Sequence, residues 1–156
     1  MDGRDDAEWM REALKEARAA FEAGEVPVGA VVVSDGRLVG RGHNRVERLK
    51  DATAHAEIIA IGAASEAIGD WRLDGSILYV TVEPCMMCLG AIYLSRISRV
   101  AFGTADKRAG ACGGAARLAG SRYMDRGLSV EGGLLENECR SLLLEFFAKL
   151  RQSGKA

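Results

Sequence analysis

The chain has 156 residues, of which 48% are apolar and 28% charged, and its net charge is −1. This size and composition exclude a disordered segment and fit one globular domain with its own core, over residues 1–156. No apolar run has the length of a membrane span, and the acidic start, MDGRDDAEWM, lacks the basic and then apolar layout of a signal peptide. A cytoplasmic protein that does not bind a membrane is therefore expected.

Charge is distributed unevenly along the chain. Residues 1–25 carry eight acidic and four basic side chains, whereas residues 104–126 carry five basic and two acidic ones and residues 137–156 carry four and two. Such an imbalance is usually a solvated surface. It permits an anionic partner for the later half of the chain without requiring one.

The first part of the chain predicts a helix followed by a β-hairpin. Apolar residues recur at helical spacing from about Ala7 to Ala23, and Asp5 or Asp6 can cap the start of this helix. The stretch VPVGAVVVSDGRLVGRGHN then predicts two strands that are joined by the Asp-Gly dipeptide at residues 35–36.

The remaining elements alternate between helix and strand. Residues 54–68 predict a helix that is apolar on nearly every face, and residues 76–82 predict a buried central strand. A helix over residues 84–94, a strand at RVAFG, a Gly-rich irregular stretch over 104–127 and a helix over 134–150 follow. Strands that are joined through helices pair in parallel, and the hairpin pairs antiparallel. We therefore predict an α/β protein with a mixed sheet and helices on both faces.

Two ionisable side chains interrupt the apolar run HAEIIAI, which lies at the start of the predicted helix over 54–68. They are His55 and Glu57. Burying a charge without a partner costs several kcal/mol, so such side chains are normally exposed, paired or bound to a metal.

A Cys-x-x-Cys pair, Cys85 and Cys88, follows the predicted central strand. Taken alone, this pair could be a redox dithiol, half of a structural zinc site or two core cysteines. A redox dithiol is expected in a thioredoxin-like context, which the sequence lacks. A structural site needs a second closely spaced pair, and the other two cysteines, Cys112 and Cys139, are far apart.

The combination of the two motifs is more specific than either alone. His55 and Glu57, followed after thirty residues by Pro-Cys-x-x-Cys, reproduce the pattern H-x-E…P-C-x-x-C. One imidazole and two thiolates, from His55, Cys85 and Cys88, leave the fourth position of a tetrahedral Zn²⁺ open for water. Glu57 can then take a proton from that water and deliver it to the substrate. The alternative is that these are ordinary core residues.

These motifs and their flanks resemble the zinc-dependent nucleobase deaminases, in particular the bacterial tRNA-specific adenosine deaminases. The resemblance covers about residues 7–152, including EVPVGAVVV, TAHAEIIAI, VTVEPCMMCLGAI and FFAKLRQ. It implies a single zinc-dependent deaminase domain with a three-layer α/β/α cytidine deaminase-like fold and about five strands. It also implies a Zn²⁺ cofactor, a homodimer and hydrolytic deamination of adenosine to inosine at the wobble position of a tRNA anticodon loop.

The resemblance also implies roles in substrate binding. Asn44 would hydrogen-bond the flipped base, the backbone at Ala56 would contact its edge, and Asp106 would contact the sugar and backbone beside it. Asn44 could instead stabilise a turn through its own side chain. Three residues of the last helix match positions near the bound RNA loop, and the first of them could be plain core packing: Phe146, Phe147 and Arg151.

Two other functions remain open at the level of sequence. The chain could deaminate a free base or nucleoside, such as guanine or cytosine, or it could be a non-catalytic zinc scaffold. The presence of Glu57 argues against the scaffold. The segments GACGGAARLAG and RYMDRGLSVEGG lack a Gly-Ser and an Asn-His pair that bacterial relatives usually carry.

Overall fold

The computed structural model describes residues 3–154, which form five helices and five strands. The helices are α1 (Asp6–Glu22), α2 (Val46–Leu49), α3 (Ala56–Ile68), α4 (Met86–Leu94) and α5 (Glu136–Gln152). The strands are β1 (Gly29–Ser34), β2 (Arg37–His43), β3 (Ile77–Val82), β4 (Arg99–Thr104) and β5 (Ser129–Glu131).

The five strands form one mixed sheet in the order β2-β1-β3-β4-β5. Strand β1 pairs antiparallel with both of its neighbours, whereas β3, β4 and β5 run parallel. The predicted mixed sheet of about five strands is therefore confirmed, with the hairpin at one edge.

Helices cover both faces of this sheet. On one face, α1 and α5 pack over strand residues that include Val31, Tyr79 and Ala101. On the other face, α3 and α4 pack over a cluster that includes Val32 and Val80. Because successive side chains of a strand point to opposite faces, alternate residues of β1 enter the two clusters. The predicted three-layer α/β/α architecture is confirmed.

The predicted boundaries of the long helices agree with the structure to within about two residues. The first helix spans Asp6–Glu22, and Asp5 forms its capping box with Glu8. The short helix α2 and the three-residue strand β5 were not predicted individually. Within residues 3–154, no helix combines the length and the apolar character that crossing a membrane requires.

Glycines in β2 let α3 approach the sheet closely. A Cβ atom on Gly42 would overlap the backbone of Ala56 and Ala60, and one on Gly40 would overlap the backbone of Ala60 and Ala64. The first turn of α3 therefore lies directly against the end of β2, near Asn44. This close packing brings the start of α3 to the end of the sheet at which β3 leads into α4.

Candidate active site

Two helix starts meet at one point of the structure. His55 is the N-cap of α3 and Cys85 is the N-cap of α4, and both have extended backbone conformations. Cys88 lies one turn further along α4 and is fully buried. Because the unpaired N–H groups and the dipole of a helix start favour negative charge, this position suits thiolates.

The side chains of these three residues form a compact triangle. His55 Nδ1 lies 3.6 Å from Cys85 Sγ and 3.4 Å from Cys88 Sγ. All three potential ligand atoms lie within 4.8 Å of one another. Zn–S bonds of about 2.3 Å and a Zn–N bond of about 2.0 Å at tetrahedral angles place N and S about 3.5 Å apart. The three residues therefore fit a tetrahedral Zn²⁺ with one open position.

The pKa values of the two cysteines in the triangle are shifted in opposite directions. Hydrogen bonds from Cys88 and then from His55 lower the pKa of Cys85 to about 3. The hydrogen bond to Cys85 and burial raise the pKa of Cys88. The two sulfurs together therefore hold one negative charge and share one proton in the hydrogen bond between them. A divalent cation that binds both sulfurs would replace that proton, because metal ligation requires thiolates.

Glu57 lies beside this triangle, on the first turn of α3. Its side chain is only 4% exposed, and burial raises the pKa of its carboxyl to about 7. A carboxyl with a pKa near neutrality can both accept and donate a proton under physiological conditions. The structure therefore places a buried acid–base group next to the three potential metal ligands.

Two residues of the triangle, His55 and Cys85, line a pocket of about 240 Å³. This volume is at the small end of the usual range for ligand pockets, about 300 to 1,000 Å³. Three of the predicted substrate-binding residues, Asn44, Ala56 and Asp106, line it together with His55 and Glu57. The other lining residues are Val26, Val28, Val82, Glu83, Cys85 and Ala109.

Asn44 lines the pocket and also stabilises the turn after β2. Its Oδ1 accepts a hydrogen bond from the backbone N–H of Val46, and its Nδ2 donates one to the carbonyl oxygen of Val26. These are the bonds that a turn residue makes. A carboxamide has a second N–H and a second acceptor lone pair, so Asn44 retains the capacity to bind a base edge.

Asp106 also lines the pocket and shapes the loop that follows β4. Its Oδ1 accepts hydrogen bonds from the backbone N–H groups of Arg108 and Ala109. Its carbonyl oxygen accepts another from the N–H of Gly110. The side chain thus orders the start of the Gly-rich segment and borders the pocket.

Arg151 is exposed in the last turn of α5 and does not line this pocket.

A second, more open groove lies between α5 and the pocket. It shares Val26 and Asn44 with the pocket and is also lined by Phe146 and Phe147. Phe146 is 6% exposed and meets Phe21 edge to face, which supports core packing for this residue. Phe147 is 40% exposed.

Two buried carboxylates near the pocket were missed by the sequence analysis. Glu25 accepts hydrogen bonds from the backbone N–H groups of Glu47 and Arg48, at the start of α2. Glu83, between β3 and Cys85, accepts three from the loop that carries Asp106. The sequence signal that could have identified them is an acidic residue immediately before an apolar or Pro-containing run, in EVPV and EPC.

Comparison with known proteins identifies the family to which this arrangement belongs. A model of the MafB19-like deaminases matches residues 4–151. The chain belongs to this deaminase family. It is 45% identical over 148 residues to a tRNA-specific adenosine deaminase from Bacillus subtilis, which covers 95% of this chain and 92% of the relative. It is 40% identical over 147 residues to a tRNA-specific adenosine deaminase from Streptococcus pyogenes, and this match covers 94% of this chain and 92% of the relative.

Solved structures agree with this assignment. The deaminase superposes with a TM-score of 0.84 and 46% identity on a structure from a study of A-to-I editing by tRNA:A34 deaminases, over 87% of this chain and 99% of that one. It superposes with a TM-score of 0.80 and 28% identity on guanine deaminase from Nitrosomonas europaea, over 92% of this chain and 85% of that one. The deaminase is therefore an enzyme that removes an amino group from a nucleobase.

Proposed function

We propose that this deaminase converts adenosine to inosine by hydrolysis at the wobble position of a tRNA anticodon. One observation carries the proposal: the His55–Cys85–Cys88 triangle lies beside the buried Glu57 at a small pocket, which His55, Glu57 and Cys85 line. The similarity to tRNA-specific adenosine deaminases along nearly the whole chain supports the choice of substrate. Bases in an anticodon loop are largely unstacked, so that presenting one in a pocket costs little.

His55, Cys85 and Cys88 would hold Zn²⁺, which, when bound, supplies the Lewis acidity that activates water at neutral pH. Glu57 takes one proton from the attacking water and delivers it to the ring nitrogen N1 as the C–O bond forms at C6 of adenine. It then takes the remaining proton of the new hydroxyl and delivers it to the exocyclic amine, so that the bond from C6 to that nitrogen breaks, ammonia leaves and the C6 carbonyl of inosine forms. The raised pKa of Glu57, caused by its burial, suits it to both proton transfers.

The pocket walls would bind the flipped nucleotide. Asn44 would present its second N–H and lone pair to the base, and the backbone at Ala56, in the first turn of α3, would contact the base edge. Asp106 would meet the sugar and backbone at the rim. Arg151, with Phe147, would contact the anticodon loop outside the pocket, where phosphates rather than the base are within reach.

The direct test is product analysis with two substrate classes. The protein is incubated with an anticodon stem-loop that has adenosine at the wobble position, and separately with free guanine, cytosine and adenosine. We expect inosine in the stem-loop and no ammonia from the free compounds. Turnover of the free compounds without any inosine in the stem-loop would overturn the proposal.

The similarity to guanine deaminase, at 28% identity over 92% of this chain, favours a free base as the second candidate substrate. The pocket of about 240 Å³ would hold a single base in that case as well. The two candidates differ outside the pocket, because a free base makes no use of the exposed residues at the end of α5.

We further propose that the chain is a homodimer that buries the exposed surfaces of α3 and α4. Three large apolar side chains lie exposed on these helices: Ile68 at 41%, Met86 at 72% and Leu94 at 66%. Exposed apolar surface of this kind typically marks an interface. Met86 follows Cys85 directly, so this interface would lie close to the active site.

A further inference from the structure

We propose that Glu83 is a positioning residue, which fixes the loop over residues 105–114 as one wall of the substrate pocket. This inference deepens the proposed deaminase function and depends on it only for the choice of substrate. Glu83 lies between β3 and Cys85, lines the pocket and is 4% exposed. The reaction outlined above does not use its carboxylate.

The carboxylate is the centre of a set of backbone hydrogen bonds. Oε1 accepts from the N–H of Asp106 at 3.0 Å, and Oε2 accepts from the N–H groups of Cys112 and Gly114, each at 2.9 Å. A buried carboxylate needs such partners, and bonds to an ionised acceptor are about twice as strong as neutral ones. Three donors from one irregular segment thus converge on a single side chain.

The loop is not part of a strand or a helix. Residues 105–114 form turns and isolated bridges and no strand or helix. The backbone of the loop is also joined to the segment around Glu83, because the N–H of Ala111 donates to the carbonyl oxygen of Pro84. The carboxylate therefore ties together three points of a loop that contains no strand or helix.

Two glycines allow the loop to close around the carboxylate. A Cβ atom on Gly110 or on Gly114 would overlap both the Glu83 side chain and the carbonyl oxygen of Asp106. Neither glycine has a positive φ, so the requirement is for space and not for backbone freedom. The sequence thus leaves the room that the carboxylate needs at two separate positions.

The consequence for the reaction follows from the position of Asp106. This residue lines the pocket, and its own N–H is one of the three donors to Glu83. Releasing the loop would misplace the wall that contacts the nucleotide, while His55, Cys85, Cys88 and Glu57 would remain on their helices. Glu83 should therefore act on substrate binding more than on the chemical step.

The test compares Glu83→Gln with Glu25→Gln in the zinc-loaded protein. Glutamine keeps the size of the side chain but presents an N–H₂ group toward donors, so that at least one backbone N–H loses its acceptor. Glu25→Gln is the matched control, because Glu25 is also buried and accepts two backbone N–H groups, from Glu47 and Arg48 in α2 and not from the loop over residues 105–114.

The first readout is amide hydrogen exchange, which does not depend on any substrate. We expect Glu83→Gln to accelerate exchange at Asp106, Cys112 and Gly114 by about tenfold or more, the size expected for loss of a bond to a charged acceptor. Glu25→Gln should leave these three amides unchanged. Unchanged exchange at all three in folded, zinc-loaded Glu83→Gln would overturn the proposal.

The second readout is steady-state kinetics on whichever nucleobase substrate the wild type turns over. We expect the KM of Glu83→Gln to rise by about tenfold, with kcat changed by less than about threefold and an unchanged zinc content. A loss confined to kcat, or no kinetic change despite faster exchange, would show that the loop is held without a role in binding. If the wild type turns over only a free base, the tRNA proposal fails while the exchange test of Glu83 stands.

A second variant covers the case in which Glu83→Gln does not fold. Gly114→Ala keeps the carboxylate and displaces the same loop through the overlap described above. It should reproduce the rise in KM and the faster exchange at Asp106. Wild-type kinetics together with wild-type exchange in Gly114→Ala would contradict the proposal independently.

Discussion

The Nδ1 atom of His55 lies 3.4 Å from the Sγ atom of Cys88, although 33 positions separate the two residues. The contact depends on the sheet, because β3 carries the chain from the end of α3 to the start of α4. Both helices therefore begin at the same end of the sheet, where β3 leads into α4, and their ligand atoms face one another. The side chains of the protein therefore already have the geometry of a metal site.

This geometry predicts stoichiometric zinc. The purified protein should contain about one zinc per chain, and Cys85→Ala should lose it, because two ligands are too few for a tight site. The matched control is Cys139→Ala, which removes a buried thiol from the cluster on the other face of the sheet. It should keep its zinc. Elemental analysis is the measurement, and metal-free wild type from zinc-supplemented medium would contradict the assignment.

The second prediction separates proton transfer from metal binding. Glu57→Gln should retain zinc and fold but lose activity by a factor of about 10² to 10⁴, the usual contribution of a general acid–base group. KM should change little, in contrast to Glu83→Gln. Single-turnover rates with the stem-loop give the comparison. Retention of most of the turnover would show that another group moves the proton.

Sequence reasoning succeeded where the information is local. The spacing of H-x-E and of P-C-x-x-C predicts three ligand side chains, and the structure brings these three together, because residues at the starts of two helices are fixed within a few positions. The long helices were predictable for the same reason, since the period of their apolar residues is visible along the chain.

The features that were missed depend on partners that are distant in sequence. Strand β5 has three residues and is mostly exposed, so its sequence contains no apolar run that would predict a strand. It forms because it pairs with the edge of β4. The role of Glu83 was not visible because its donors lie 23 to 31 positions later, in a segment without periodicity. Only the folded chain brings them together.

A third prediction concerns the ion pair between Asp6 and Arg99. The hydrogen bonds from Arg99, at 2.9 and 2.6 Å, lower the pKa of Asp6 to about 2. A carboxyl whose pKa is lower in the folded state contributes stability above its ordinary pKa of 3.8, and this stability is lost as the pH falls toward 2. Because the Asp6 side chain is 42% exposed, the contribution is about 1 kcal/mol.

Asp6→Asn should therefore lower the free energy of unfolding by about 1 kcal/mol at pH 7, and the difference from wild type should shrink between pH 4 and about 2. Urea unfolding at several pH values measures this. The control is Asp35→Asn, since Asp35 lies in the exposed hairpin turn with a positive φ that asparagine also adopts. A difference that is constant with pH would contradict the assigned pKa.

The proposed dimer gives a fourth prediction. Light scattering at micromolar concentration should give twice the chain mass of 16.7 kDa. Leu94→Glu places a charge on the proposed interface and should shift the protein toward the monomer. Leu144→Glu is the matched control, because Leu144 is 61% exposed on α5, over the opposite face of the sheet. A wild type with the mass of a single chain would refute the interface.

The last prediction distinguishes tRNA from a free base through salt. Lys149 and Arg151 lie in the last turn of α5, next to the groove that adjoins the pocket, and Lys107 and Arg108 follow Asp106, which lines the pocket. A tRNA substrate that contacts these side chains releases counterions on binding, so its affinity must fall as the salt concentration rises.

Arg151→Ala should weaken binding of the stem-loop and reduce the slope of log affinity against log salt by a little under one unit, the value for one phosphate contact. Its kcat should stay near that of the wild type, because Arg151 does not line the pocket. Lys15→Ala is the control, since Lys15 is an exposed cation on α1 that pairs with Glu12 and lines neither the pocket nor the groove. A free base has no phosphate, so its KM should respond neither to salt nor to Arg151→Ala. A flat salt response together with efficient turnover of guanine or cytosine would identify the enzyme as a free-base deaminase.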